Sequence, residues 1–332
     1  MKQSKKTQKI FGAQGFDFYY SQIFPNDWQE LKTSLFSENV YLKLQFENCS
    51  PYFLDPASIC AALTLPLDNL DFADFNSADS DKSSTESSLK TSENPQSEQK
   101  VLDMCAAPGG KTLVLSSNLS KNQTLFSNER SSSRKARLLK VCTESLPESL
   151  QKKLRISCSD ASTWCRRETE SYDAILLDAP CSSERHVLTD SKYLSTWSPS
   201  RIKSLAIEEW ALLSCAWRLL KVNSYLLYST CALNPCENDE LISKLLKKFD
   251  NVSVKSFDEC KKIFKNNLKT SKAKFSFPEN SKFDFEDSNE ILSQNLLEKI
   301  YDNLQKTQYG FHILPHKNFS CGPIYFSLLQ KT

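Results

Sequence analysis

From residue 101 the chain alternates short apolar runs of strand length with stretches of helical period, and few architectures accept that alternation. Val101-Leu102-Asp103-Met104-Cys105 ends at Pro108-Gly109-Gly110, and a helical stretch follows to about Leu119. Thr124–Phe126, Leu154–Ile156, Ala174–Leu177 and Tyr225–Tyr228 read as further strands, with a helix over 131–145. Between 201 and 221, Ile202, Ala206, Trp210, Leu213, Trp217 and Leu220 recur at helical spacing. Asn234 reads as an N-cap, with Pro235 at the first helical position and Glu237 three residues after the cap. Phe311–Leu314 and Ile324–Leu329 read as late strands, arranged as an antiparallel hairpin. Short buried strands separated by helices imply an α/β fold with a doubly wound, mostly parallel sheet.

The rest of the chain is organised around that region. Residues 1–9 carry four lysines and read as a basic tail. Residues 10–75 hold Phe11, Phe16, Phe18, Tyr19, Tyr20, Phe24 and Trp28, and read as a small folded N-terminal subdomain. Residues 76–100 contain eight serines and eight charges, with Ala78 and Leu89 their main apolar residues, and read as a disordered linker or insertion. Residues 101–332 form the main domain, interrupted by a polar insertion at about 266–290. No apolar run reaches the ~18 residues of a membrane span, and no apolar segment follows the basic start as in a signal peptide. The twelve cysteines are scattered from Cys49 to Cys321 and are read as reduced thiols of a cytoplasmic protein. With three histidines and no zinc-ligand spacing, no metal site is expected.

Two of the six glycines sit together at Gly109-Gly110, after a strand and before a helix. There glycine permits a tight turn and close backbone approach to a ligand, although an ordinary strand-to-helix turn uses the same dipeptide. Lys111 is not a Walker lysine, because the required glycine spacing is absent. Glu129, about 20 residues past the loop, stands where an acid binds ribose hydroxyls. Asp160 follows the third strand, where it could meet an adenine amino group. Asp178-Ala179-Pro180-Cys181 closes one strand and Ser229-Thr230-Cys231 closes the next. A lone cysteine is usually a small core hydrophobe. Two at adjacent strand ends, one behind an acid, suit methyl transfer to carbon 5 of a pyrimidine. That carbon is a poor nucleophile until a thiolate adds to carbon 6. A carboxyl group such as Asp178 would balance charge at ring N3 and the amino group, and a second cysteine could assist release. Spacing alone does not order the two cysteine roles.

DMCAAPGGKT (103–112), DAPCSSERH (178–186) and YSTCALNPCEN (228–238) closely resemble the RsmB/Nop/Sun family of S-adenosylmethionine-dependent RNA 5-methylcytosine methyltransferases, and 52–58 resembles the segment ahead of that family's cofactor loop. The resemblance implies a Rossmann-like class I methyltransferase with a seven-stranded sheet. It implies that Cys231 is the nucleophile, that Cys181 releases the methylated RNA, and that Asp178 acts at the reaction centre. Cys105, Ala106, Ala107, Pro108, Gly109, Gly110 and Lys111 would line the cofactor, with Glu129 at the ribose, Asp160 at the adenine, and Arg134 and Asp178 completing the set. The chain departs from many relatives at Cys321-Gly322-Pro323, and its N-terminal part is short for the family, which leaves substrate choice open.

Ribosomal RNA is expected as the substrate ahead of transfer RNA, and the protein is expected to be a monomer. Lys2, Lys5, Lys6, Lys9, Arg134, Lys135, Arg137, Lys140, Lys152, Lys153 and Arg155 could form a phosphate-binding patch that the net charge of +2 conceals, or be ordinary solvated faces. Residues 182–200 read as a long polar loop beside Cys181, with Arg185 a candidate RNA contact. The competing reading is a non-catalytic RNA-binding or ribosome-assembly protein on the same fold.

Overall fold

The computed structural model describes residues 11–67, 98–279 and 289–332; the tail 1–9 and nearly all of 76–100 fall outside these. Helices Gly12–Ile23 and Trp28–Phe36 come first, held by the stacked rings of Tyr20 and Trp28, 5.4 Å apart. Strands β1 (Leu42–Gln45) and β2 (Tyr52–Leu54) then form an antiparallel pair. Asp55 caps the next helix, Pro56–Leu63, by accepting from Ala57 N at 2.7 Å.

The main sheet starts with β3 (Gln99–Asp103), β4 (Gln123–Asn128), β5 (Leu154–Ser157), β6 (Tyr172–Asp178) and β7 (Leu220–Thr230). These five are parallel, in the order β5-β4-β3-β6-β7. Their centres are almost wholly apolar: Val101, Leu102, Ile175, Leu176, Leu177, Leu226 and Leu227 are buried, as strands covered on both faces require. β8 (Val252–Val254) lies farther along the chain, and β9 (Lys274–Ser276) leaves the main sheet to pair with β1. β10 (Gln305–Lys306), β11 (Phe311–Ile313) and β12 (Ile324–Lys331) complete the set. β12 runs antiparallel to β7, and its outer edge carries both β11 and β8. The expected parallel core and the late β11–β12 hairpin are present, and short edge strands bring the sheet to nine strands among the described residues.

The chain winds outward from β3 to β5, then returns to β6 on the other side of β3. The switch point therefore lies between the carboxyl ends of β3 and β6, at Asp103 and Asp178, where an open α/β sheet binds ligands.

Three sequence expectations change in detail. Residues 182–200 are not a polar loop: they form short helices Glu184–Thr189 and Ser191–Ser195. Val187, Leu188 and Trp197 there are buried against Phe16, Tyr20 and Trp28, an apolar payment too scattered for sequence periodicity to show. Within the polar stretch at 266–290 the described residues end helix Phe257–Thr270, supply β9 with Phe275 buried, and begin helix Asn289–Asp302, while 280–288 lie outside the described residues. The helix at Asn234 is a single 3-10 turn, Pro235–Glu237, broken at Asn238 before helix Asp239–Lys248 begins. Asn234 does cap Glu237 N, and the Glu237 carboxylate turns inward, where it accepts from Ser182 N and from the Asn234 side-chain amide. Among the described residues no helix is long and apolar enough to cross a membrane, and no group of His, Cys, Asp and Glu has metal-holding geometry.

Candidate active site

β3 ends at Asp103, and the chain turns through Gly109, at φ +118°, into helix Gly110–Ser117. That backbone conformation is open to glycine and strained for residues with a Cβ. A Cβ on Gly110 would stand 2.6 Å from Leu54 Cδ1, so the loop is pressed against β2. Asp103 is buried; Thr112 donates to it at 2.6 Å, and its Oδ1 has no hydrogen-bond partner among the described residues. Burial, partly offset by Thr112, pushes its carboxyl up to about 7.

β6 and β7 lie in register with Asp178 beside Ser229, which donates to Asp178 Oδ1 at 2.7 Å. Lys111, nearly buried, reaches across from the glycine loop to Asp178 Oδ2, also at 2.7 Å. Burial lowers the Lys111 ammonium, but the adjacent Asp178 charge overrides it and holds the group above its ordinary value. Just beyond these strand ends the Cys181 and Cys231 sulfurs stand 2.9 Å apart, and Ser183 Oγ lies 3.1 Å from Cys231 Sγ. Hydrogen bonding from Cys181 favours the Cys231 thiolate; burial opposes it, Ser183 assists, and the thiol is lowered. Cys181 moves the opposite way, well above the ordinary thiol range, through its hydrogen bond to Cys231 and its burial.

Three cavities here share lining residues. The first, about 430 Å³, is lined by Glu129, Arg134, Asp160 and Cys105. The second, about 260 Å³, is lined by Cys105, Ala106, Ala107, Pro108, Gly110, Lys111, Asp178 and Cys231. The third, about 810 Å³, is shared between the N-terminal residues Phe36 and Tyr41 and residues Ser183, Arg185 and Cys231. Cys105 belongs to the first two and Cys231 to the last two.

The first cavity fits a nucleoside. Glu129 is buried; its Oε1 accepts from Ser131 N at 2.9 Å, while Oε2 accepts no hydrogen bond among the described residues. A ribose diol would satisfy that oxygen. Arg134 stands 3.4 Å from the same oxygen and donates to Ala107 O at 2.7 Å, tying the ribose side to the glycine loop. Asp160 Oδ1 is occupied by Ser162 N and Oγ, and that hydrogen bonding holds its carboxyl low.

The site residues read from sequence thus come together; Gly109 shapes the turn and is not among the lining residues of these three cavities. Of the proposed basic patch, Lys2 to Lys9 fall outside the described residues. Lys140 and Lys152 pair with Glu144 and Glu148, and Lys153 and Arg155 donate to backbone carbonyls. Arg185 lines the large cavity while Nη2 donates to Ser34 O and Ser320 O. Sequence reasoning did not single out Asp103, Ser183 or Ser229. Ser229 adjoins the Thr-Cys pair, but only strand register shows that it faces Asp178.

Residues 91–285 match the 16S rRNA methyltransferase RsmB/F family. Ribosomal RNA small subunit methyltransferase F of Erwinia tasmaniensis is 35% identical over 161 residues, 48% of this chain and 33% of the relative. The 5-cytosine rRNA methyltransferase NSUN4 of Bos taurus is 33% identical over 177 residues, 50% of this chain and 45% of the relative. The matched part therefore spans less than half the length of these relatives. A methyltransferase homolog protein from Pyrococcus horikoshii shares the fold at TM-score 0.58 and 15% identity, covering 97% of this chain and 96% of that one. NSun6 from Pyrococcus horikoshii with SFG does so at 0.51 and 17%, covering 86% and 54%. With more than half of its length matched, the chain belongs to the RsmB/F family of rRNA methyltransferases.

Proposed function

We propose that this protein methylates carbon 5 of a cytosine in structured RNA, with ribosomal RNA as the substrate class, using S-adenosylmethionine. The observation that carries this reading is Cys231: its sulfur borders both the cavity of the glycine loop and Asp178 and the larger cavity open to the N-terminal segment. A thiolate placed between a donor pocket and a base pocket is what addition to carbon 6 needs. The names of the Erwinia and Bos relatives support ribosomal RNA.

S-adenosylmethionine, when bound, supplies an electrophilic methyl group. Glu129, Arg134 and Asp160 would hold its nucleoside end, and Cys105 to Lys111 the remainder. The target cytosine must leave its stack to enter the larger cavity, where the exposed rings of Phe36 and Tyr41 offer stacking surfaces. Cys231 forms a carbon–sulfur bond at C6, and Asp178, held by Lys111 and Ser229, faces the pyrimidine N3 and amino group. Once C5 carries the methyl group, its proton passes to a base, the C6–sulfur bond breaks and the Cys231 thiolate is restored. Cys181, which keeps its own proton, assists that release. The reading retains a cytoplasmic site of action.

Cys231→Ala is expected to abolish methyl transfer, and Cys181→Ala to accumulate a covalent RNA adduct. RNA carrying 5-fluorocytosine should become cross-linked to the wild-type protein. Full methyl transfer by Cys231→Ala overturns the mechanism, and absence of any adduct favours a non-catalytic RNA-binding protein. Bisulfite sequencing of RNA from cells with and without the protein separates ribosomal from transfer RNA targets.

A further inference from the structure

The loops that carry Cys181 and Cys231 are cross-braced. Glu184, three residues past Cys181, accepts from Leu233 N on the other loop at 3.0 Å. Glu237, six residues past Cys231, accepts in return from Ser182 N at 2.7 Å. Each loop thus sends a carboxylate to a backbone amide within two residues of the other loop's cysteine. Both carboxylates are fully buried. Ser182 Oγ lies against Glu184 Oε1 and, at 2.6 Å, Glu237 Oε2. Asn234 Nδ2 donates to Glu237, and Tyr20, from the first helix, donates to Glu184. None of these side chains takes part in the chemistry above, yet buried carboxylates are costly unless their hydrogen bonds are complete.

We propose that Glu184 and Glu237 are positioning residues that act through the two loops, setting the contact between Cys181 and Cys231. The inference rests on the reading of Cys231 as nucleophile. A serine hydroxyl has one proton, so Ser182 Oγ serves one of the two glutamates at a time, and burial beside Glu184 raises the Glu237 carboxyl. Glu209, buried behind it, stays protonated: burial and the Glu237 charge push it up to about 11. Other charged groups that share a cavity with Cys231 include Lys111 and Asp178 on the cofactor side and Asp55 and Arg185 on the larger one. Glutamine at 237 keeps the size but must set its NH2 group against either the Ser182 amide or the Asn234 amide, which weakens the cluster that holds the brace.

The test is the pH dependence of Cys231 alkylation by iodoacetamide, read by mass spectrometry on the Cys231 peptide. It needs no RNA, so failure of the methyltransferase reading leaves its result unaffected. In Glu237→Gln and Glu184→Gln the midpoint is expected to rise by about one pH unit, about a tenfold slower reaction below it. S-adenosylmethionine affinity should stay within about threefold and unfolding should stay cooperative. The sign is decisive, because removing a negative charge with the geometry intact would lower the midpoint. Should both glutamine variants fail to fold, Tyr20→Phe decides, with a smaller upward shift expected. A midpoint unchanged or lowered in a folded variant overturns the proposal.

Discussion

The Lys111 ammonium lies 2.7 Å from Asp178 Oδ2, joining the glycine loop to the end of β6. Lys111 is nearly buried, whereas the Asp178 side chain is 32% exposed, so the pair is anchored from the lysine side. Asp178→Asn leaves a buried cation without its counter-charge. The roughly 3–5 kcal/mol lost on orphaning a fully buried charge is a ceiling here, because water reaches the aspartate. Adding Lys111→Met is expected to recover most of the loss. Urea unfolding of the single and double variants checks this as a cycle, and additive losses would refute the coupling. Methyl transfer by Asp178→Asn should fall about 100-fold or more.

The cysteine pair makes the proposed nucleophile, Cys231, pH-dependent in a definite direction. Cys181 donates to Cys231 and lowers it, so the rate of adduct formation should rise with pH along a limb below the ordinary thiol range. Cys181→Ala removes that donor and leaves burial unopposed by it; the limb then moves up by about one pH unit. Cys181→Ser, which keeps an O–H donor, should lie between. Rates of adduct formation with 5-fluorocytosine RNA across the pH range provide the measurement, and coincident limbs would count against the assigned roles.

Asp103 links pH to stability with the opposite sense from a salt-bridged acid. Its folded value, about 7, exceeds its unfolded value, so the native state holds a proton that the unfolded chain has released. Its contribution is present below the unfolded value, near 4, and is lost as pH rises toward 7. The difference amounts to about 4 kcal/mol at most. Asp103→Asn should flatten the stability curve over that window. The comparison must be made against wild type, since Glu209 tilts the curve in the same direction. An unchanged slope would show that Asp103 is ionised in the folded protein.

Much of the site was legible because its residues fall at strand ends in short, ordered motifs. Apolar runs placed β3, β6 and β7, and the residues after them had to meet at the sheet's carboxyl edge. What stayed hidden depends on distances that spacing does not encode. Ser229 faces Asp178 only through strand register, and Lys111 reaches Asp178 only because the switch point brings two loops together. The buried face of 182–200 was obscured because its partners, Phe16, Tyr20 and Trp28, lie more than 150 residues away in sequence. Glu184 and Glu237 read as polar loop and helix cap; only the fold shows that they turn inward.

The two glycines of the loop should fail differently when a methyl group is added. Gly109 is at φ +118°, with Leu138 and Val141 side chains 3.1–3.2 Å from the site of a Cβ. Gly109→Ala therefore strains the backbone itself and should destabilise the fold by more than about 1 kcal/mol. Gly110 has no such backbone constraint, but its Cβ would press Leu54 at 2.6 Å and Tyr52 at 3.1 Å, both of which line the central cavity with it. Gly110→Ala should then displace β2 against the cofactor loop and weaken S-adenosylmethionine binding out of proportion to any loss of stability. Trimming the neighbour in Gly110→Ala/Leu54→Ala removes the clash and should recover affinity, whereas Leu54→Ala cannot rescue Gly109→Ala, whose fault lies in its dihedral angles. Calorimetric binding beside thermal unfolding for these variants separates the two outcomes. Equal effects on affinity and stability at both positions would show that the loop responds as one unit and that β2 does not brace it.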